Sequence, residues 1–274
     1  MYRFYLPPAA CKGDALLLTD REAHHGAQVL RLRTGDDVTV LDGAGTRIAC
    51  VVKQLGRKVI ELSVRSRKKI PPPGFQLTLF QAMVKGKTME TIVEKATELG
   101  VNRIVPLITE RVVSQLDAER SDSKQAKWQL TAIEAIKQCG SPWLPQIDAP
   151  QKLNDVLKAF ARFDMAFVGS LRGGRHMRHW VQTLWSGELR EPAQRPTGRS
   201  STLNSQLSTS PRSGCVWIGP EGDFTDAELD AIEAGGAKPI TLGPLVLRAD
   251  TAAIASLAIL RSEVDWLSAT APTP

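Results

Sequence analysis

The chain is 274 residues long with 42% hydrophobic and 23% charged residues, more than one small domain requires and too apolar for overall disorder. Its formal net charge is +6, and the whole excess lies in residues 1–73, which hold 13 basic and 7 acidic side chains, while residues 74–274 hold 22 of each. Such an uneven excess points to a polyanionic partner held by an N-terminal module, with a solvated basic surface as the plainer alternative.

Residues 2–68 read as short strands around one helix. Arg3–Leu6, Ala15–Thr19, Asp37–Leu41, Arg47–Leu55 and Lys58–Val64 are rich in Val, Ile, Leu and Thr, and turns at Thr34-Gly35-Asp36 and Asp42-Gly43 divide them. Glu22–Leu32 places Ala23, Ala27 and Leu30 at helical spacing. A small β-barrel over residues 1–70 is expected. Lys68–Gly74, with three consecutive prolines, predicts a stiff polyproline-like linker, placed at 71–76 between the domains.

Over residues 77–268 the pattern becomes strand–helix alternation, the signature of a mostly parallel sheet covered by helices. Strands are expected at Leu77–Met83, Arg103–Ile108, Met165–Val168, Cys215–Ile218 and Pro239–Leu242. Helices are expected over the Met89–Leu99 stripe closed by Gly100, around Lys124–Gln138, from the capping box Thr225-Asp226-Ala227-Glu228 through Ala234, and from about Thr251 to Trp266. The last is apolar on several sides, which predicts deep packing. Gly187–Gly214, dominated by Ser, Thr, Arg, Pro, Gln and Gly, predicts a flexible insertion, and 269–274 a short tail.

Cys11, Cys50, Cys139 and Cys215 lie far apart without a C-x-x-C pair, and read as reduced, buried thiols of a cytoplasmic protein. The first residues lack a signal-peptide pattern, and no apolar run reaches the roughly 20 residues of a membrane span, so no membrane association is expected. His176 and His179 stand among Arg and Gly without an H-E-x-x-H pattern. They read as an exposed basic turn, and no metal site is expected.

Two turns follow strands and precede helices: Ile218-Gly219-Pro220-Glu221-Gly222-Asp223-Phe224, and Leu242-Gly243 running through Arg248 to Thr251. Their glycines permit close backbone approach, and loops at the carboxyl ends of parallel strands are where α/β sheets bind ligands. A single Gly-Pro turn is usually only a turn; two of them, carrying Glu221 and Arg248, favour a binding site. Neither a P-loop nor a G-x-G-x-x-G fingerprint occurs, so nucleotide hydrolysis and hydride transfer lose support.

The chain resembles the RsmE family, the 16S rRNA uridine-N3 methyltransferases of the SPOUT superfamily. The resemblance runs through Arg3-Phe4, His25-x-x-Gln28-Val29-Leu30-Arg31, Lys85-Gly86-x-x-Met89-Glu90, Glu94–Val101, Glu134-Ala135-x-x-Gln138-Cys139-Gly140, Ile218–Gly222 and Leu242-Gly243-x-x-Val246-Leu247-Arg248-x-Asp250-Thr251-Ala252. It implies a PUA-like barrel before a trefoil-knotted α/β domain, an S-adenosylmethionine cofactor, 16S rRNA of the small ribosomal subunit as partner, and a homodimer. The implied cofactor residues are Val168, Gly169, Ser170, Ile218, Gly219, Pro220, Glu221, Gly222, Leu242, Gly243, Val246, Leu247, Arg248, Thr251 and Ala252. The RNA-binding candidates are Arg3, His25, Arg31, Arg33, Arg65, Arg67, Lys68 and Lys85. Three departures from the family pattern stand out: Asp223 where a second Gly is usual, Ser141 where Arg is usual, and Ala249-Asp250-Thr251 where Thr-Glu-Thr is frequent.

On this resemblance the reaction displaces a methyl group from a sulfonium, so positioning dominates. Uracil N3 must lose its proton, and a fixed cation beside the carbonyl oxygens would stabilise the anion; Arg248 is the candidate. Glu221 is the second catalytic candidate, and it and Asp250 stay open as base, capping or orienting groups. Competing readings are a knotted methyltransferase for another rRNA or tRNA position and a non-catalytic RNA-binding assembly factor.

Overall fold

Alternating burial along short strands builds the N-terminal sheet. In the structure, a computed structural model describing residues 2–56, 58–111, 118–160, 162–186 and 211–270, β1 (Tyr2–Tyr5), β2 (Ala15–Leu18), β3 (Asp37–Leu41), β4 (Thr46–Leu55) and β5 (Ile60–Lys69) assemble in the order β1-β3-β4-β5-β2. Phe4, Leu16, Leu18, Val38, Val40, Ile48, Cys50, Val52, Ile60 and Leu62 turn inward to one apolar core. Among the described residues the hydrogen-bonded ladder does not close on itself: β1 and β2 are its two edges.

Two expectations need correction here. The single helix expected over Glu22–Leu32 is a short α1 (Asp20–His24) followed by a π-helical turn over His25–Val29. Gly26 sits in that turn so close to the core that a Cβ would lie 2.8 Å from Ile60 Cδ1. Secondly, β5 runs on to Lys69, because β4 pairs with it through Arg47↔Lys68 and Thr46↔Lys69. The length of the partner strand decides the boundary here, so Lys68 and Lys69 belong to the sheet and not to the linker.

The chain divides into two compact units, Met1–Pro73 with Val93–Asn102 and Ala126–Gln146, and Gly74–Ile92 with Arg103–Gln125 and Ile147–Pro274. The second sheet comprises β6 (Gln76–Ala82), β7 (Arg103–Ile108), β8 (Gln146–Ile147), β9 (Gln151–Lys152), β10 (Met165–Gly169), β11 (Arg175–His176), β12 (Ser213–Ile218) and β13 (Lys238–Thr241). Their order is β11-β13-β10-β12-β6-β7-β8, with β9 beside β7. The pairs β11–β13, β13–β10, β10–β12, β12–β6 and β6–β7 are all parallel. Central strands of such a sheet are covered on both faces and therefore read as unbroken apolar runs, as in β10 and β12. In the core, Trp217 stacks on Phe80 at 3.9 Å between centroids, and Phe160 lies 5.3 Å from the same indole.

The helices are α2 (Thr88–Glu98), α3 (Ala118–Cys139), α4 (Leu153–Lys158), α5 (Met177–Ser186), α6 (Asp226–Ala234) and α7 (Ala249–Thr270). The capping box opens α6 as expected: Glu228 N–H donates to Thr225 Oγ1 at 3.3 Å, and Thr225 N–H donates to Glu228 Oε2 at 2.9 Å. α7 does not pack all round; it buries one face, Ala249, Ala253, Ser256, Leu257, Leu260 and Val264, and leaves Trp266 exposed. It also continues through Thr270, into the expected tail. The short α5 escaped notice because only Met177 and Val181 are buried, a single i, i+4 pair. His176 ends β11 and His179 lies on α5, so the expected basic turn is a strand–helix junction, exposed as anticipated. Of the expected insertion, residues 187–210 lie outside the described residues, and its end forms the start of β12 at Ser213.

Cys50 and Cys215 are buried, but Cys11 is only half-buried and Cys139 is exposed, which corrects the expectation of four buried thiols. Burial pushes the Cys50 thiol up to about 11. Among the described residues no helix is long and apolar enough to cross a membrane, and no group of three or more His, Cys, Asp or Glu gathers for a metal ion.

Candidate active site

Four loops leave the carboxyl ends of neighbouring parallel strands: those after β6, β10, β12 and β13. Residues from their ends and from the start of α7 enclose a cavity of about 400 Å³, within the range of small-molecule sites. Gly169, Ser170, Ile218, Gly219, Pro220, Glu221, Leu242, Gly243, Val246, Leu247, Arg248 and Ala252 line it. Three expected residues do not. Val168 is fully buried in the apolar core, Gly222 turns its carbonyl to Arg111, and Thr251 is exposed on α7, where its N–H donates to Asp250 Oδ1 at 2.9 Å. Thr88, Leu171, Asp223, Ile240, Thr241, Leu245, Ala249 and Asp250 also line the cavity. Ile240 and Thr241 were findable as the end of an apolar strand; Thr88 and Leu171 carry no local signal.

The loop after β12 is a tight turn, closed by Asp223 N–H donating to the Pro220 carbonyl at 3.0 Å. Asp223 follows at φ +61°, in the left-handed region, and its Oδ1 accepts the Phe224 N–H at 2.8 Å. Gly219 is required by this turn itself: a Cβ there would lie 2.9 Å from Asp223 Oδ1 and 3.0 Å from Phe224 N. Arg111, which sequence reading missed, holds the loop from outside. Its Nη1 donates to the Gly222 carbonyl at 2.5 Å and the Phe224 carbonyl at 3.3 Å. Glu221 Oε1 accepts the Lys85 N–H at 3.2 Å, so this carboxylate ties the loop after β6 to the loop after β12.

Arg248 stands at the end of the loop after β13 with its side chain 82% exposed, Nε 3.9 Å from Asp250 Oδ1. At that distance and exposure the carboxylate holds it only weakly. The guanidinium is therefore available to a group entering the cavity.

The basic candidates of the first unit divide by partner. Arg3 Nη1 donates to the carbonyls of Lys137 and Gln138 at 3.1 and 2.7 Å, closing the end of α3, where a cation complements the helix dipole. Arg67 donates to the Gly13 and Cys11 carbonyls and lies 3.7 Å from Asp14, and Arg65 lies 3.3 Å from Asp37. Arg31, Arg33 and Lys68 are exposed. His25 meets Phe4 edge-on at 6.3 Å between centroids. Lys85 is exposed in the second unit, beside Glu221.

Comparison with known proteins agrees with this geometry. Residues 71–261 match the family model of an RNA methyltransferase domain, and residues 18–65 match that of an RNA methyltransferase PUA domain. The class defined by fold and site is thus that of the RNA methyltransferases. Ribosomal RNA small subunit methyltransferase E of Synechocystis is 30% identical over 259 residues, covering 94% of this chain and 76% of its own length. The Aquifex aeolicus protein of the same name is 27% identical, covering 91% of this chain and 95% of its own. The Neisseria gonorrhoeae ribosomal RNA small subunit methyltransferase E, solved bound to S-adenosyl methionine, superimposes with a TM-score of 0.77 at 25% identity, over 96% of this chain and 97% of its own. A Legionella pneumophila structure in complex with the bound cofactor SAM gives 0.78 at 28% identity, over 95% and 97%. The chain belongs to the RsmE family of ribosomal RNA small subunit methyltransferases, in the SPOUT superfamily.

Proposed function

We propose that this protein methylates N3 of a uridine in 16S rRNA of the small ribosomal subunit, using S-adenosylmethionine. The observation that carries the proposal is the cavity at the carboxyl ends of β10, β12 and β13, walled by the two Gly-Pro loops that the family pattern contains. When bound, S-adenosylmethionine supplies a methyl group activated by a sulfonium cation. The lining suits such a molecule. Ile218, Leu242, Leu245, Val246 and Leu247 offer apolar surface, while the carboxylates of Glu221, Asp223 and Asp250 supply negative charge for a cationic ligand. We assign cofactor binding to these loops, and to the trefoil knot that the family resemblance implies for them.

Arg248 stabilises negative charge on the uracil carbonyl oxygens as N3 loses its proton, a role its exposed position on the cavity rim supports. Glu221 acts by orienting, since its carboxylate holds the Lys85 backbone. N3 lies on the Watson–Crick edge, so the target uridine must be unpaired or extruded. Arg31 and Arg33, in the loop before β3, and Arg65, Arg67 and Lys68, on β5, supply backbone contacts to rRNA. The protein works as a homodimer in the cytoplasm, the exposed Trp266 of α7 favouring a second copy.

Transfer of labelled methyl from S-adenosylmethionine to small subunits lacking the modification tests the proposal. Incorporation is expected. Cofactor binding without incorporation into any RNA would leave only a binding factor.

A further inference from the structure

We infer that Arg175 and Lys238, gathered around Trp180, form a phosphate-binding site for the RNA strand whose uridine enters the cavity. This rests on the methyltransferase function proposed above and adds to the catalytic unit a contact surface of its own.

The segment Arg172-Gly173-Gly174-Arg175-His176-Met177-Arg178-His179 holds three arginines and two histidines and no acid. Its glycines place it. Gly173 has φ +103°, and a Cβ on Gly174 would lie 2.6 Å from the Pro239 carbonyl, so only glycine lets the chain lie flat on β13. The resulting register sets Arg175 beside Ile240 and His176 beside Thr241. Ile240 and Thr241 both line the cavity. The basic edge therefore begins one strand spacing, about 4.8 Å, from the cavity wall.

Trp180 collects the charges. Its Nε1 donates to the Pro239 carbonyl at 3.1 Å, which fixes the ring, and Arg175 and Lys238 approach that ring at 5.6 and 5.8 Å from its centroid. Among the described residues neither cation forms an ion pair, whereas Arg172 is met by Asp226, Asp230 and Glu233 and Arg178 by Glu263. Two like charges on one indole with no carboxylate between them repel each other, and an anion from outside relieves that repulsion. His179 stands beside the same ring, edge-on at 5.6 Å between centroids, with its Nε2 2.5 Å from Arg175 Nη1. Arginine, lysine and imidazole N–H groups are the donors that hold phosphodiesters.

The test is Arg175→Gln with Lys238→Gln in the full chain, with Lys238→Gln alone as a second, milder variant. Methyl transfer to small subunits is followed across a salt series, with calorimetry for S-adenosylmethionine and sedimentation for assembly. We expect KM for the RNA to rise about tenfold in the double variant, less in the single one, with kcat and cofactor affinity unchanged. The dependence of log KM on log salt should flatten by roughly 0.7–0.9 per lost phosphate contact. An unchanged KM and salt slope in the folded variants would overturn the site, as would an effect confined to sedimentation, which would make this edge a contact between copies. If the unaltered protein transfers no methyl group, the proposed function itself fails. The site is then read from the binding of a labelled single-stranded oligouridylate, which the double variant should weaken and which equal binding would refute.

Discussion

Asp223 joins two of the loops that wall the cavity: its Oδ2 accepts the backbone N–H of Leu171 at 3.4 Å, while its Oδ1 serves the Phe224 N–H in its own loop. It does so from φ +61°, where the family pattern has a second glycine. An aspartate in this region carries a backbone cost of order 1–3 kcal/mol, which its own side-chain hydrogen bonds offset. Asp223→Ala keeps the strain and loses both acceptors, so S-adenosylmethionine affinity and thermal stability should both fall. Asp223→Gly relieves the strain and should hold the thermal midpoint within a few degrees of the original. Equal melting of the two variants would show that strain and acceptors do not trade in this way.

Arg111 reaches the same loop from the side opposite Leu171. Hydrogen bonds from a charged donor are worth about 1.5–3 kcal/mol at most, and less here because the site is exposed. Arg111→Ala should therefore lower cofactor affinity several-fold by loosening Gly222 and Phe224, and Arg111→Lys should restore part of it. Calorimetry on the two variants measures this. Unchanged affinity in Arg111→Ala would mean that the turn holds itself.

Arg248 separates positioning from chemistry. Losing one preorganised charge-stabilising donor costs on the order of 10²–10³ in rate. Arg248→Ala should show that loss in single-turnover transfer at saturating cofactor and RNA, with cofactor affinity nearly intact. Its remaining activity should climb more steeply with pH, since hydroxide must then supply the ionisation of uracil N3. A parallel fall in affinity and stability would instead make Arg248 a turn anchor.

The loops of the site were legible in the sequence because Gly-Pro turns directly follow apolar strands, at Ile218 and Leu242. What holds the loops was not. The Lys85–Glu221 contact joins residues 136 positions apart, and Arg111–Gly222 joins residues 111 apart. Both exist because β6 lies between β12 and β7, an order that no local pattern encodes. Arg3 illustrates the reverse. Its charge reads as an RNA contact, yet in the fold its guanidinium lies against the last carbonyls of α3. The edge strand β11 was missed because two residues are too few for a period-2 signal.

In the first sheet, Lys68 is the cleanest probe of RNA binding, since Arg67 also carries the Gly13 and Cys11 carbonyls and Arg65 pairs with Asp37. Lys68→Glu should weaken binding to a 16S rRNA fragment at low salt and flatten its salt dependence, because phosphate contacts release counterions. Arg67→Glu should do the same and also lower the melting temperature. Fluorescence anisotropy across a salt series, with melting curves, distinguishes the two. Equal affinity for Lys68→Glu and the unaltered protein would remove this residue from the interface.

The most direct measurement of the central claim is nucleoside mapping by mass spectrometry of 16S rRNA after incubation of unmodified small subunits with the protein and labelled S-adenosylmethionine. One new labelled nucleoside is expected, a uridine methylated at N3, absent when Arg248→Ala is used at matched times. Label on another base, on a ribose 2′-hydroxyl or in tRNA alone would contradict it.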